Sequence, residues 1–137
     1  MQEGYALSGI SKFVTQDQIN RYAEVSGDNN PVHLDSEFAA ETTFGRIVAH
    51  GMLVLAFVSE MLTRQFGQEW LETGTLKVRL KAPVYPGDSV LTYGVVSRLV
   101  SESGVHRVQC DIGCRKVDGQ EVMTGVASLL MSGLSMG

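Results

Sequence analysis

The sequence is short of positive charge, of cysteine and of long apolar runs, and each shortage removes a class of function. Eleven Lys and Arg against fifteen Asp and Glu leave a formal charge of −4. Such a chain has no basic field with which to hold a phosphate backbone, so nucleic acid is not an expected partner. No apolar stretch approaches the ~18 residues that a membrane-spanning helix needs. The start Met1-Gln2-Glu3-Gly4 also lacks the positive segment and apolar core of a secretion signal. The expectation is a cytoplasmic protein with no membrane partner. Cys110 and Cys114 are the only cysteines, spaced so that in a strand they share one face and lie too far apart to bond to each other. They read as two buried thiols in a reducing compartment, and His106 alone does not complete a zinc set with them. No repeat, low-complexity tract or linker divides the 137 residues, a length that suits one domain, 1–137, with a single core.

What is present divides into helices first and strands after. Thr15 with Gln18 has the spacing of a capping box, Val14 and Ile19 occupy the staple positions around it, and Gly27 suits the left-handed residue that ends a helix. These signals predict a helix over 16–26. Asp35 can cap a second, short helix through Phe38, Ala39 and Ala40. Between His50 and Phe66 the residues Met52, Leu53, Val54, Leu55, Ala56, Phe57, Val58, Met61 and Leu62 predict a long helix buried on every side. Leu76, Val78, Leu80 and Ala82 alternate with Thr75, Lys77, Arg79 and Lys81, the period of a strand with one wet face. Strands are further expected over 89–100, 104–117 and 121–131, with Ser103-Gly104 and Asp118-Gly119 as hairpin turns. A weaker alternation over 7–14 suggests a short strand at the start. The fold class is α+β: an antiparallel sheet curled around the long helix.

The residues that can do chemistry gather near the middle of this order. Asp28 and His33 flank Asn29-Asn30-Pro31-Val32, where the Asn-Asn-Pro centre disfavours helix and Pro31 fixes φ. A loop of this kind can turn both side chains onto one water; equally, Asp28 can cap local backbone while His33 packs at the loop base. Asp28 and Asn30 imitate the start of a calcium-binding EF-hand loop, but His33 stands where the glycine belongs and Ala39 where the bidentate glutamate belongs. His50-Gly51 opens the long helix. Gly51 N–H is placed as an oxyanion donor at a helix N-terminus, although the glycine also suits tight packing and His50 suits a hydrogen-bonded core. Ser59 lies mid-helix, able to bond back to its own helix or to orient the Asp28 loop. Lys77, Arg79 and Lys81 read as a solvated sheet face ahead of a phosphate site.

The segment 22–62, YAEVSGDNNPVHLDSEFAAETTFGRIVAHGMLVLAFVSEML, resembles the hydratase motif of the MaoC-like, (R)-specific enoyl-CoA hydratases, which have the hot-dog fold. Asp28, Asn30, Pro31, His33, Gly51 and Ser59 all match the motif. The similarity continues, weaker but collinear, through the strands and the connection Lys81-Ala82-Pro83-Val84-Tyr85-Pro86-Gly87-Asp88. The resemblance implies reversible addition of water to a trans-2-enoyl thioester, giving the (R)-3-hydroxyacyl thioester, on either CoA or acyl carrier protein. Asp28 and His33 would hold and activate the water, Gly51 N–H would bind the thioester oxygen, and Asn30, His50 and Ser59 would support them. Neither a metal nor another cofactor is required. It also implies a homodimer with two sheets joined edge to edge, and one sheet of a few strands is independently too small to cover so apolar a helix. A carrier-protein or specialised acyl-CoA dehydratase, a thioesterase and a non-catalytic acyl-thioester binder are the alternatives.

Overall fold

The computed structural model describes residues 1–132. In chain order it contains β1 (Ser11–Phe13), α1 (Gln16–Ser26), a 3-10 turn (Pro31–His33), α2 (Ser36–Ala40), α3 (Gly51–Phe66), α4 (Gln68–Thr73), β2 (Thr75–Leu80), β3 (Ser89–Glu102), β4 (Val105–Lys116) and β5 (Glu121–Ser132). The strands form one antiparallel sheet in the order β1-β3-β4-β5-β2. Leu53, Val54, Phe57, Val58, Met61 and Leu62 of α3 share one core with Val96, Val108, Cys110, Ile112 and Cys114 of the sheet. This is the expected α+β architecture.

Local signals account for most of the boundaries. Thr15 Oγ1 accepts from the Gln18 N–H at 3.1 Å, and Val14 and Ile19 are both fully buried. Only half of the capping box closes, because Gln18 Oε1 is buried without a partner and does not take up the Thr15 N–H. Gly27 ends α1 at φ 79°. Both Ser103 and Gly104 have positive φ, as a two-residue hairpin turn of the primed type requires. Val108, Cys110, Ile112 and Cys114 point together into the core. Burial, aided by the Asp111 charge, pushes the Cys110 thiol up to about 11, and burial with the Glu121 charge pushes Cys114 up to about 12.

Three expectations need correction, and one element was not foreseen. The strand at the start is confined to Ser11–Phe13, and the rest of the segment follows β3 irregularly, with Gly9 so close to the Thr92 carbonyl that no Cβ would fit. The long helix is not buried all round: Met52 is 60% exposed and Ala56 is also exposed, because the sheet covers one side of α3 only. β2 does not have one dry face. It is the outermost strand beside β5, Leu76 is only half-buried, and Leu80 is 61% exposed. Finally, α4 was not anticipated: after the break at Gly67 the chain makes a further helix that buries Trp70. Among the described residues no helix is long and apolar enough to cross a membrane.

Candidate active site

The Asp28–His33 loop is shaped by its own short polar side chains. Ser26 Oγ accepts from the Asp28 N–H at 3.1 Å, Asp28 Oδ1 accepts from the Asn30 N–H at 3.2 Å, and Asn30 Oδ1 accepts from the Val32 N–H at 3.1 Å. Successive turns of this kind give the backbone a partner at each step without helix or sheet. Asn30 therefore supports the loop by capping the 3-10 turn that carries His33. Gln16 of α1 donates from Nε2 to the His33 carbonyl at 3.0 Å, holding the turn from the other side.

Hydrogen bonding also selects the tautomer of the neutral His33 ring. Nδ1 lies 2.7 Å from the Val48 carbonyl oxygen. A carbonyl only accepts, so Nδ1 carries the proton and the neutral ring keeps its lone pair on Nε2. His33 thus offers a free base nitrogen. Val48 is in turn fixed, since its N–H donates to the Val32 carbonyl at 3.3 Å and the next N–H, of Ala49, donates to the Val84 carbonyl at 2.7 Å.

His50 lies beneath this arrangement, 1% exposed. Its Nε2 is 2.9 Å from the Asp28 carbonyl oxygen, its ring stacks on His33 at 3.8 Å between centroids, and Tyr22 packs against it at 4.7 Å. Asp28, His33 and His50 each bring one donor atom within 4.8 Å of the others. A metal-ligand set needs lone pairs that converge on one point, whereas the two rings are stacked 3.8 Å apart and each already points one nitrogen at a backbone carbonyl, of Val48 for His33 and of Asp28 for His50. The arrangement fits an acid–base pair with a supporting ring better than a metal centre.

The third part is the start of α3. His50 is its N-cap residue and makes no side-chain cap bond to the first turn, so the first N–H groups of the helix keep their capacity for an external acceptor. Gly51 leaves this backbone bare. A cavity of about 360 Å³ is lined by both His33 and Gly51, with Val32, Phe44, Val48, Val54, Leu80, Val84 and Val122 making its walls mainly apolar. Among the described residues, Lys81 is the one lysine or arginine in its lining. His33 and the start of the helix therefore border the same space, which suits a substrate with a polar reacting end and an apolar tail. Asp28 is exposed and does not line this cavity itself; its carboxylate reaches the centre through the two histidines, within 4.8 Å of a nitrogen of each.

The sequence-predicted residues fall into two groups. Asp28, Asn30, His33, His50 and Gly51 are brought together. Ser59 is not brought to the loop, and it does not bond back along the helix through its hydroxyl either: Ser59 Oγ accepts from Trp70 Nε1 at 3.2 Å, joining α3 to α4. Sequence reasoning missed Val48, which acts through its carbonyl and so leaves no trace in side-chain type. It also missed Tyr22 of α1, whose ring packs against His50.

Comparison with known proteins adds to the geometry. The chain matches the model of the family described as MaoC like domain over residues 6–117. It is 31% identical over 101 residues to a 3-hydroxybutyryl-CoA dehydratase of Methylorubrum extorquens, covering 74% of this chain and 64% of that protein. It is 32% identical over 119 residues to an (R)-specific enoyl-CoA hydratase of Aeromonas caviae, covering 83% of this chain and 88% of that one. The solved structure of the A. caviae (R)-hydratase superposes with a TM-score of 0.81 at 27% identity, over 94% of this chain and 96% of that chain.

Proposed function

The chain belongs to the MaoC-like domain family, and from that premise we propose that it is a hydro-lyase of acyl thioesters. The reaction is reversible hydration of a trans-2-enoyl thioester, enoyl-CoA in the first place, to the (R)-3-hydroxyacyl thioester. The observation that carries this reading is an apolar-walled cavity lined by both His33, whose Nδ1 is held by the Val48 carbonyl, and Gly51 at the uncapped start of α3.

In the forward direction one water is held between the Asp28 carboxylate and His33. The pair takes a proton from the water as its oxygen bonds to the β-carbon. The π electrons of the double bond move to the α-carbon and the thioester carbonyl, and the resulting enolate oxygen is bound by Gly51 N–H with the help of the α3 dipole. The pair then returns a proton to the α-carbon on the same face. Because the carbon skeleton and oxidation level of the thioester group are unchanged, the step calls for acid, base and oxyanion donor and for no redox cofactor. The acyl tail occupies the apolar cavity, and Lys81 at its edge suits the anionic carrier of a thioester, whether CoA or a carrier protein.

The same reading includes one domain over 1–137, a cytoplasmic setting and a homodimer. The dimer is supported by two open surfaces: the edge of β2, which has no partner strand among the described residues and exposes Leu80, and the side of α3 that bears Met52. Loss of the enoyl absorbance of crotonyl-CoA and longer enoyl-CoAs on incubation with the protein tests the activity.

A further inference from the structure

His50 joins both halves of the reaction centre. Its backbone begins the oxyanion helix, its carbonyl accepting from the N–H groups of Leu53 at 3.0 Å and Val54 at 3.4 Å. Its side chain reaches back to the loop, where Nε2 meets the Asp28 carbonyl at 2.9 Å and the ring lies flat against His33 at 3.8 Å. One residue therefore touches the main chain of the acid, the ring of the base and the first turn of the helix that carries the oxyanion donor.

The donor and acceptor pattern restricts how it can do this. The Asp28 carbonyl only accepts, so His50 Nε2 carries the proton. In the neutral ring Nδ1 is then the lone-pair nitrogen, and it is buried with no hydrogen-bond partner among the described residues. A buried acceptor left unpaired has a cost, and the alternative tautomer would lose the bond to Asp28 as well. The groups facing the ring are His33 and Asp28 from the loop and Tyr22 from α1. None of them donates to Nδ1.

We propose that His50 is the positioning residue of this site: in its Nε2–H tautomer it fixes Asp28 by one hydrogen bond and His33 by ring stacking, and so sets the distance from the water-activating pair to the Gly51 oxyanion donor. It does not touch substrate. The catalytic consequence rests on the hydratase reading, but the tautomer and the two contacts do not.

Two substitutions separate the contacts. His50→Gln puts an amide nitrogen near the Nε2 position and keeps a donor for Asp28 while losing the stacked ring. His50→Phe keeps a ring against His33 and leaves the Asp28 carbonyl without its donor. If position is what His50 supplies, His50→Phe lowers kcat by about tenfold or more with KM near the parent value, and His50→Gln recovers a large part of that loss. Equal activity in all three proteins, or losses that move kcat and KM together with the melting temperature and show no recovery in His50→Gln, would overturn the proposal. Proton–nitrogen correlation spectra of the histidine side chains in the unsubstituted protein give a readout that does not depend on turnover or on folding of a variant. The expected spectrum at neutral pH has His50 as the Nε2–H tautomer and His33 as the Nδ1–H tautomer. Finding His50 as Nδ1–H contradicts the proposal even if the protein is an active hydratase. Finding both tautomers as expected in a protein without hydratase turnover would instead retire the functional reading and leave the positioning geometry standing.

Discussion

At the scale of single residues, the centre depends on where a few protons and methyl groups sit. Val48 supplies nothing but a carbonyl, yet that carbonyl decides that His33 presents Nε2 as its free nitrogen. Gly51 is as restrictive in its own way, since a Cβ there would come 2.8 Å from Leu80 Cδ1. The atom it would meet is the end of a flexible, largely exposed side chain, so Gly51→Ala should fold and the penalty should fall on the cavity. The expected result is a loss of about tenfold in kcat/KM, with part of it regained in the double variant Gly51→Ala, Leu80→Ala. Steady-state kinetics on the two proteins check this, and a double variant no better than the single one would mean that the methyl blocks the oxyanion donor itself. Residue type and spacing marked Asp28, His33 and Gly51 as candidates but left a capping or packing role equally open, and it was the resemblance of the whole 22–62 segment to a hydratase motif that tipped the reading toward chemistry. The Val48 carbonyl and the ring stack of His33 on His50 were not legible in the sequence, because a backbone acceptor and a ring contact are made only when distant segments meet.

At the scale of elements, helix boundaries were written into capping residues, while the elements that depend on neighbours were not. α1 ran as its capping residues predicted, and Asp35 capped α2 through the N–H groups of Glu37 and Phe38. By contrast α4 is a helix of six residues whose polar sequence hides the burial of Trp70, and the burial becomes visible only once Ser59 is seen to accept from the indole N–H. Ser59→Ala removes that acceptor and should lower stability by about 1 kcal/mol in chemical denaturation, loosening the joint between α3 and α4. A change within measurement error would show that the indole finds water instead. β4 carries the pH-sensitive part of the core. Burial holds Cys110 at about 11 and Cys114 at about 12, both above an exposed thiol, so the folded state keeps its thiol protons more tightly than the unfolded one. The sign follows: this contribution is fully present below the unfolded thiol pKa and is lost as pH rises through the folded values. Denaturation midpoints should therefore fall between about pH 9 and 12, and Cys110→Ala with Cys114→Ala should remove part of that slope.

At the scale of the whole molecule, the surfaces left open are as informative as the core. An apolar alternation predicted one dry face for β2 and an apolar run predicted a fully buried α3, yet Leu80 and Met52 are exposed. The sequence recorded apolar surface to be covered without saying by what, and a single chain covers only part of it. An unpaired strand edge with apolar side chains is a surface that proteins normally pair or cover. A homodimer through this edge predicts a solution mass near twice 14.9 kDa, and Val78→Lys on β2 should shift it toward the monomer; light scattering on both proteins is the check. A water-adding centre built from Asp28, His33 and Gly51 is put to the test by one panel of enoyl thioesters on CoA and on carrier protein, read together for loss of the enoyl absorbance and for release of free thiol. The expected result is hydration without thiol release, reduced by about 10²- to 10⁴-fold in Asp28→Asn and in His33→Gln. Thiol release without hydration, or hydration that survives both substitutions, would contradict it.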